Sequence, residues 1–244
     1  MIHVQALIKR FGLKAILRGL DFEVAQGEFV GLLGPNGAGK TTFLRILASL
    51  SRPTAGRVQI AGYHLPGQAA QVRRQLGVLS HQPLLYGDLS AEENLTFFGR
   101  LYAVDALDAR IGEVLAMVGL AARRRDLVRT FSRGMQQRLA IARAVIHDPE
   151  VLLLDEPYTG LDQDASAMLD AVLVEIASGG RTVVMTSHDL ARAADVCTRF
   201  DVLVNGKIAA SRERAAMSNP GEVLTFYKDT VAAGTATKAV RHEA

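Results

Sequence analysis

Residues 29–47 decide the fold: the apolar run Phe29-Val30-Gly31-Leu32-Leu33, then Gly34-Pro35-Asn36-Gly37-Ala38-Gly39-Lys40-Thr41-Thr42, then the apolar-patterned Phe43-Leu44-Arg45-Ile46-Leu47. The central stretch is G-x-x-x-x-G-K-[ST] between a buried strand and a helix, the setting in which that pattern cradles phosphate. Gly34, Gly37 and Gly39 let backbone N–H groups turn inward around an anion with no Cβ in the way. The helix that follows points its positive dipole end at the same place. Lys40 can reach β- and γ-phosphates, and the Thr41 hydroxyl can ligate Mg²⁺. A glycine-rich turn that happens to carry a lysine would not account for the flanking strand and helix. The loop therefore points to a nucleoside triphosphate, with Pro35, Asn36, Ala38 and Thr42 completing the cradle.

The rest of the composition fits a globular nucleotide-binding chain. Its 244 residues suffice for one α/β domain with an inserted subdomain, and 49% hydrophobic content is ordinary for a full core. The net charge of +3 is a mild bias, compatible with an anionic membrane surface or nucleic acid and proof of neither, and no nucleic-acid partner is expected. A single cysteine, Cys197, excludes an internal disulfide and suits a reducing cytoplasm. Met1-Ile2-His3-Val4 has no signal-peptide character. No apolar run approaches the ~20 residues needed to span a bilayer, so a membrane role would place the spanning part on another chain.

Periodicity and punctuation give the organisation. Strands are expected at 3–8, 20–24, 29–33, 56–60, 77–80, 151–154 and 182–185, and a hairpin at 202–208 on the Asn205-Gly206 turn. The helix after Lys40 should stop near Ser51-Arg52-Pro53. From about 84 to 147 the character is helical. Ser90-Ala91-Glu92-Glu93 is a capping-box start, and 111–118 and 138–146 are amphipathic. Residues from about Thr230 are small, polar and basic, and are expected to fray. There is no internal repeat.

Val151-Leu152-Leu153-Leu154-Asp155-Glu156 is the second informative stretch. Four apolar residues make a strand buried on both faces, ending in two carboxylates at the sheet edge where α/β proteins bind ligands. Asp155 is placed to hold Mg²⁺ beside Thr41. Glu156 is the candidate general base that polarises a water towards the γ-phosphate.

In chain order these residues join Phe11, Gln82, Phe131-Ser132-Arg133-Gly134-Met135-Gln136-Gln137-Arg138, Thr159-Gly160-Leu161-Asp162 and Thr186-Ser187-His188. The set resembles the ATP-binding subunit of ABC transporters over residues 1 to about 210. The resemblance implies the ABC ATPase fold: an α/β P-loop NTPase core with a mixed sheet, N-terminal antiparallel strands and an inserted helical subdomain at about 84–147. It implies a single domain over 1–230, with 231–244 a flexible tail. ATP and Mg²⁺ are the implied cofactors. Phe11 matches the aromatic that stacks on adenine. Gln82 matches the glutamine that touches Mg²⁺ and senses the transmembrane partner. Ser132 and Gly134 match the signature motif that binds the γ-phosphate held by the opposite subunit, and Asp162 the loop that crosses the dimer interface. His188 matches the histidine that contacts the γ-phosphate and helps place the attacking water. Catalysis would then rest on Glu156, His188 and Lys40.

The same resemblance implies partners. Each ATP would lie between two ATPase subunits, a homodimer or a heterodimer with a paralogue. That dimer would sit peripherally on the cytoplasmic face of a membrane, driving permease subunits that dock near Gln82. Two departures stand out. The usual Leu-Ser-Gly-Gly-Gln is here Phe131-Ser132-Arg133-Gly134-Met135, which adds a cation and loses the glutamine. Phe11 replaces the usual tyrosine and keeps its stacking face. Ser80-His81-Gln82-Pro83, Leu89 to Leu95, Leu50 to Pro53 and Asp155 to Asp162 are similar to the haem-exporter ATPase of cytochrome c biogenesis, while exporters of drug, polysaccharide or lipid type share several of these features. The alternative of a soluble, non-transport ABC ATPase would normally bring a second domain, coiled coils or zinc-binding cysteines.

Overall fold

Alternation of apolar residues in the central strands sets the layering. In β3 (Phe29–Leu33), Phe29 and Leu33 enter one core cluster while Val30 and Leu32 enter another. In β7 (Val151–Asp155), Leu152 and Leu154 go one way and Val151 and Leu153 the other. A strand apolar on both faces must be covered on both, so the sheet is the middle layer of a sandwich. The computed structural model describes residues 1–80 and 82–240, the last six as backbone only.

The central sheet has six strands in the order β10-β9-β3-β8-β7-β6. β6 (Leu76–Leu79), β7, β8 (Thr182–Thr186), β3 and β9 (Arg199–Val204) are parallel, and β10 (Lys207–Glu213) pairs antiparallel with β9 across the Asn205-Gly206 turn. A second, antiparallel sheet orders β2-β1-β4-β5, from β1 (Ile2–Phe11), β2 (Lys14–Val24), β4 (Ala55–Ile60) and β5 (Tyr63–Leu65). Helix α1 (Lys40–Leu47) contributes to the core cluster shared by the two sheets. There the fully buried Phe43 meets Phe22 edge-on, 5.1 Å between ring centroids. Such a pair adds about 1 kcal/mol beyond its buried area. The mixed sheet, the antiparallel N-terminal strands and the helical insert all match the fold expected.

Helix α2 (Ala69–Arg74) precedes β6. The insert between β6 and β7 carries α3 (Ala91–Leu101), α4 (Leu107–Met117) and α5 (Arg133–Val145). The capping box at its entry forms as expected: Ser90 Oγ accepts from Glu93 N–H at 3.1 Å and Glu93 Oε2 from Ser90 N–H at 2.7 Å. Buried Asn94 fastens the preceding loop, donating to Tyr86 O and Ser90 O and accepting from Tyr86 N–H. The run Arg123-Arg124-Arg125 is partly engaged in ion pairs. Arg124 pairs with Glu92 and Asp108, and Arg123 with Asp126.

Beyond β7, the chain forms α6 (Gln163–Ser178), α7 (Leu190–Val196) and α8 (Gly221–Val240), none of which the sequence reading named. α8 runs on past Thr230, where fraying is expected. Phe226, Tyr227 and Val231 pack on the core, and Asn205 Nδ2 donates to Gly234 O. The end of the expected tail, 241–244, lies outside the described residues. Cys197 is buried, and burial pushes its thiol up. Among the described residues no helix is long and apolar enough to cross a membrane.

One buried titratable group ties the insert to the sheet. His147 stacks on Tyr102 at 3.8 Å, and its Nε2–H donates to Leu76 O at 3.1 Å, which leaves Nδ1 unprotonated and without a hydrogen-bond partner. Burial pulls its pKa down to about 4. The unfolded chain therefore takes up this proton first, and stability present above the ordinary histidine value is lost as pH falls from about 6.5 to about 4. The expected loss between pH 7 and pH 5 is about 2 kcal/mol, and a His147→Gln variant should lack this part of the acid slope in chemical denaturation at those two values.

Candidate functional site

The loop before α1 folds as a cradle. A Cβ on Gly34 would collide with Leu203 O, and Gly39, at φ 113°, would push a Cβ to 2.9 Å from Leu17 Cδ2. Both positions need glycine for space and for backbone conformation. Gly39 also serves as N-cap, offers no side-chain cap, and no acidic residue stands in the first turn of α1. The first N–H groups of the helix are therefore left for an anion. Lys40 is buried, and its Nζ donates to Gly34 O at 2.6 Å, inside its own loop. Burial lowers the Lys40 pKa, while Glu156 and Asp155 act in the opposite direction.

The carboxylates arrive from the next strands. Asp155 ends β7 opposite Thr186 of β8. Thr186 Oγ1, fully buried, donates to Asp155 Oδ1 at 2.8 Å and accepts from Glu156 N–H at 3.0 Å. One hydroxyl thus fixes both acidic positions. Thr41 Oγ1 stands 3.5 Å from the same Asp155 oxygen. A hydroxyl and a single carboxylate, both hard oxygen donors, fit a Mg²⁺ ion that takes its remaining ligands from phosphate and water.

Glu156 has φ 53°, a conformation uncommon outside glycine, and begins the turn that leaves the sheet. Its Oε2 accepts from His188 N–H at 3.0 Å. Its Oε1 lies 3.2 Å from His188 Nε2 but out of line for a hydrogen bond, so this buried oxygen has no donor. Burial raises the Glu156 pKa, against the opposing effects of His188 and Lys40. A raised pKa suits a group that must take a proton near neutral pH. It also costs stability: the folded chain holds this proton more tightly than the unfolded one. The stabilisation present below the ordinary glutamate range is lost as pH rises through the raised value. Glu156→Gln should therefore melt higher than the wild type at pH 8 and level with it at pH 4, in thermal scans at both.

The expected site residues fall into groups. Lys40, Thr41, Asp155, Glu156 and His188 converge at the C-terminal edge of the parallel strands. Gln82 is exposed and, with Pro83, Arg133 and Glu156, lines a cavity of about 450 Å³; His81 lies outside the described residues. Ser132 and Asp162 stand apart as the N-caps of α5 and α6, accepting from Met135 N–H and Ala165 N–H. These two helix starts pack together, where a Cβ on Gly134 would come 2.7 Å from Ala165 Cβ. Phe11 is exposed at the end of β1 with Lys9 Nζ 4.7 Å from its ring centroid. Arg133 is exposed and lines the same cavity as Gln82. Its guanidinium lies against Gly160 of its own chain, on the turn that follows Glu156.

Several residues that hold the site received no role from sequence. Thr186 could have been found from strand register, since it stands opposite Asp155. Gln137 Nε2 donates to Pro157 O at 2.8 Å and so ties α5 to the turn after Glu156. Tyr158, Asp170 and Arg192 contact one another, and only the folded chain brings them together.

Comparison with known proteins points to one family. A family model described as ABC transporter matches residues 17–159. The chain is 37% identical over 227 residues to a Nod factor export ATP-binding protein I of Ralstonia nicotianae, covering 92% of this chain and 69% of that one. It is 41% identical over 211 residues to a daunorubicin resistance ATP-binding protein of Streptomyces coeruleorubidus, covering 86% and 67%. An ATP-binding cassette solved as a dimer in a post-hydrolysis state with ADP and phosphate superimposes with a TM-score of 0.80 at 27% identity, over 89% of this chain and all of that one.

Proposed function

The chain belongs to the ABC transporter family as an ATP-binding subunit, and from that premise we propose that it hydrolyses ATP to ADP and phosphate to drive export through membrane-spanning partners. The observation that carries the reading is Glu156 Oε1: a buried carboxylate oxygen with no donor, held beside His188 at the edge where the phosphate cradle opens.

The loop N–H groups from Gly37 and from Gly39 to Thr42, with the Lys40 ammonium, hold the triphosphate. Thr41 and Asp155, with Gln82, would hold Mg²⁺, which supplies charge neutralisation to the phosphates when bound. Glu156 takes a proton from water as its oxygen bonds to the γ-phosphorus and the bond to the β-phosphate oxygen breaks, with His188 orienting the water. Phe11 offers its exposed face to adenine. Ser132, Gly134 and Asp162 would act on the nucleotide of a second subunit, which makes a homodimer or paralogue heterodimer the working form. The dimeric state of the related cassette supports this. Arg133, exposed and lying against Gly160, would add a cation near the triphosphate and strengthen closure.

Leu84, Tyr86, Phe97 and Leu101 are exposed around α3, beside a groove of about 950 Å³. Large apolar side chains left in solvent on the segment after Gln82 support docking of a permease there, at the cytoplasmic face of the membrane. The names of the relatives, for Nod factor export and daunorubicin resistance, support an exporter of that broad type. They lend nothing to the haem exporter that the sequence resembles. The test is ATP turnover by the purified chain with and without Mg²⁺, alongside its mass by light scattering with and without ATP. Mg²⁺-dependent turnover with an ATP-dependent dimer supports the reading, and a monomer without turnover in every condition overturns it.

A further inference from the structure

A closed ring of contacts lies behind Glu156 and His188 and runs through the turn after Glu156, α6 and the start of α7. Tyr158, two residues after Glu156, is buried, and its hydroxyl donates to Asp170 Oδ1 of α6 at 2.7 Å. The other Asp170 oxygen accepts from Arg192 Nη1 of α7 at 2.6 Å. The Arg192 guanidinium stands 6.0 Å from the centre of the Tyr158 ring, and its Nε is 3.4 Å from Asp189 Oδ2. Asp189 caps α7 through Arg192 N–H at 3.1 Å and directly follows His188. His188 returns to Glu156 through its N–H, which closes the ring.

We propose that Tyr158, Asp170 and Arg192 are positioning residues that set the separation of Glu156 from His188. The inference rests on the catalytic reading given above for that pair. Glu156 sits in a backbone conformation that needs outside support, and the Tyr158 anchor holds the far side of its turn on α6. His188 is exposed, and its loop is fastened by Asp189 and Arg192. Asp170, bonded to both arms, fixes the distance between them. Asp170 and Arg192 are both about three-quarters buried, so the pair is less screened than a surface ion pair. Loosening any link lets the base and the water-orienting histidine drift apart, while the phosphate cradle keeps its shape. The loss therefore falls on kcat and spares KM.

The experiment is steady-state ATP turnover by the full chain for wild type, Tyr158→Phe, Asp170→Asn, Arg192→Met, Arg192→Lys and the double variant Asp170→Asn/Arg192→Met. An ångström-scale displacement of reacting groups costs up to about a hundredfold. Arg192→Met and Asp170→Asn should each lower kcat about 10- to 100-fold, with KM for ATP within about twofold. Arg192→Lys should recover part of the loss. The double variant should be no slower than the worse single one, since one broken link opens the ring. Tyr158→Phe removes one oxygen and keeps the ring stack, so it decides the matter if the charged variants fail to fold. Wild-type kcat in folded variants, or KM rising in step with the fall in kcat, overturns the proposal. Glu156→Gln in the same assay separates the two claims: if it turns over normally, the catalytic reading fails. If it is silent while the ring variants match wild type, only the ring fails.

Discussion

Replacing Glu156 with glutamine is expected to cut ATP turnover by at least about a hundredfold and to leave ATP binding intact, since a positioned general base contributes about 10²–10⁴ in rate. Glutamine matches the carboxylate in shape and keeps an acceptor for His188 N–H, the bond that places the residue at 3.0 Å. What it loses is the basicity of Oε1, the buried oxygen with no donor. It also removes a negative charge beside the site of a triphosphate, so affinity should hold or rise. With closure by ATP intact and hydrolysis blocked, the variant should accumulate as an ATP-bound dimer. Turnover by phosphate release and mass by light scattering check both halves. Wild-type turnover would move the base elsewhere, with Asp155 and His188 the next candidates at the sheet edge.

Lys40→Met should weaken ATP binding sharply. Lys40 is 8% exposed and its ammonium is bonded inside its own loop at 2.6 Å, so it is already placed where phosphate oxygens would enter. A hydrogen bond to a charged group contributes about 1.5–3 kcal/mol, which predicts ATP affinity falling on the order of 10- to 100-fold for each bond lost. Methionine keeps the aliphatic stem and removes a charge that burial disfavours. The variant should therefore melt no lower than wild type without nucleotide, and should lose the upward shift that ATP gives. Calorimetric titration and thermal scans with and without ATP test this pair of outcomes. Retained affinity, or a collapse of the fold, would place Lys40 in the core and remove it from the site.

The two strand-to-loop stretches carry most of the fold because their patterns are local. Phe29 to Leu47 and Val151 to Glu156 combine period, punctuation and charge within a few residues. The strands expected from them are present within a residue or two of their ends. The capping box at Ser90 is local for the same reason. Helix α6 is legible too: Leu169, Val172, Leu173 and Ile176 follow a helical spacing behind the Asp162 cap. Helix α8 is not. Its run of small residues has little apolar stripe of its own, and it is held by packing of Phe226, Tyr227 and Val231 against distant core residues. Isolated helices of that kind are marginal, so the tertiary contact decides.

The site divides along the same line. Sequence by itself determined a phosphate loop, a strand delivering Asp155 and Glu156 to the sheet edge, and the order of motifs that marks the family, because spacing along one chain is what such motifs are made of. It could not determine that Thr186 holds both carboxylates, that Arg133 rests on Gly160, or that Asp170 and Arg192 join the turn after Glu156 to the loop of His188. Those relations span separations of 12 to 31 residues in the hydrogen-bonded cases. They exist only after β7 and β8 lie side by side and α6 and α7 pack against each other. Short-range order writes itself into the sequence as a period or a cap, whereas a contact between distant side chains leaves no pattern until packing fixes the distance.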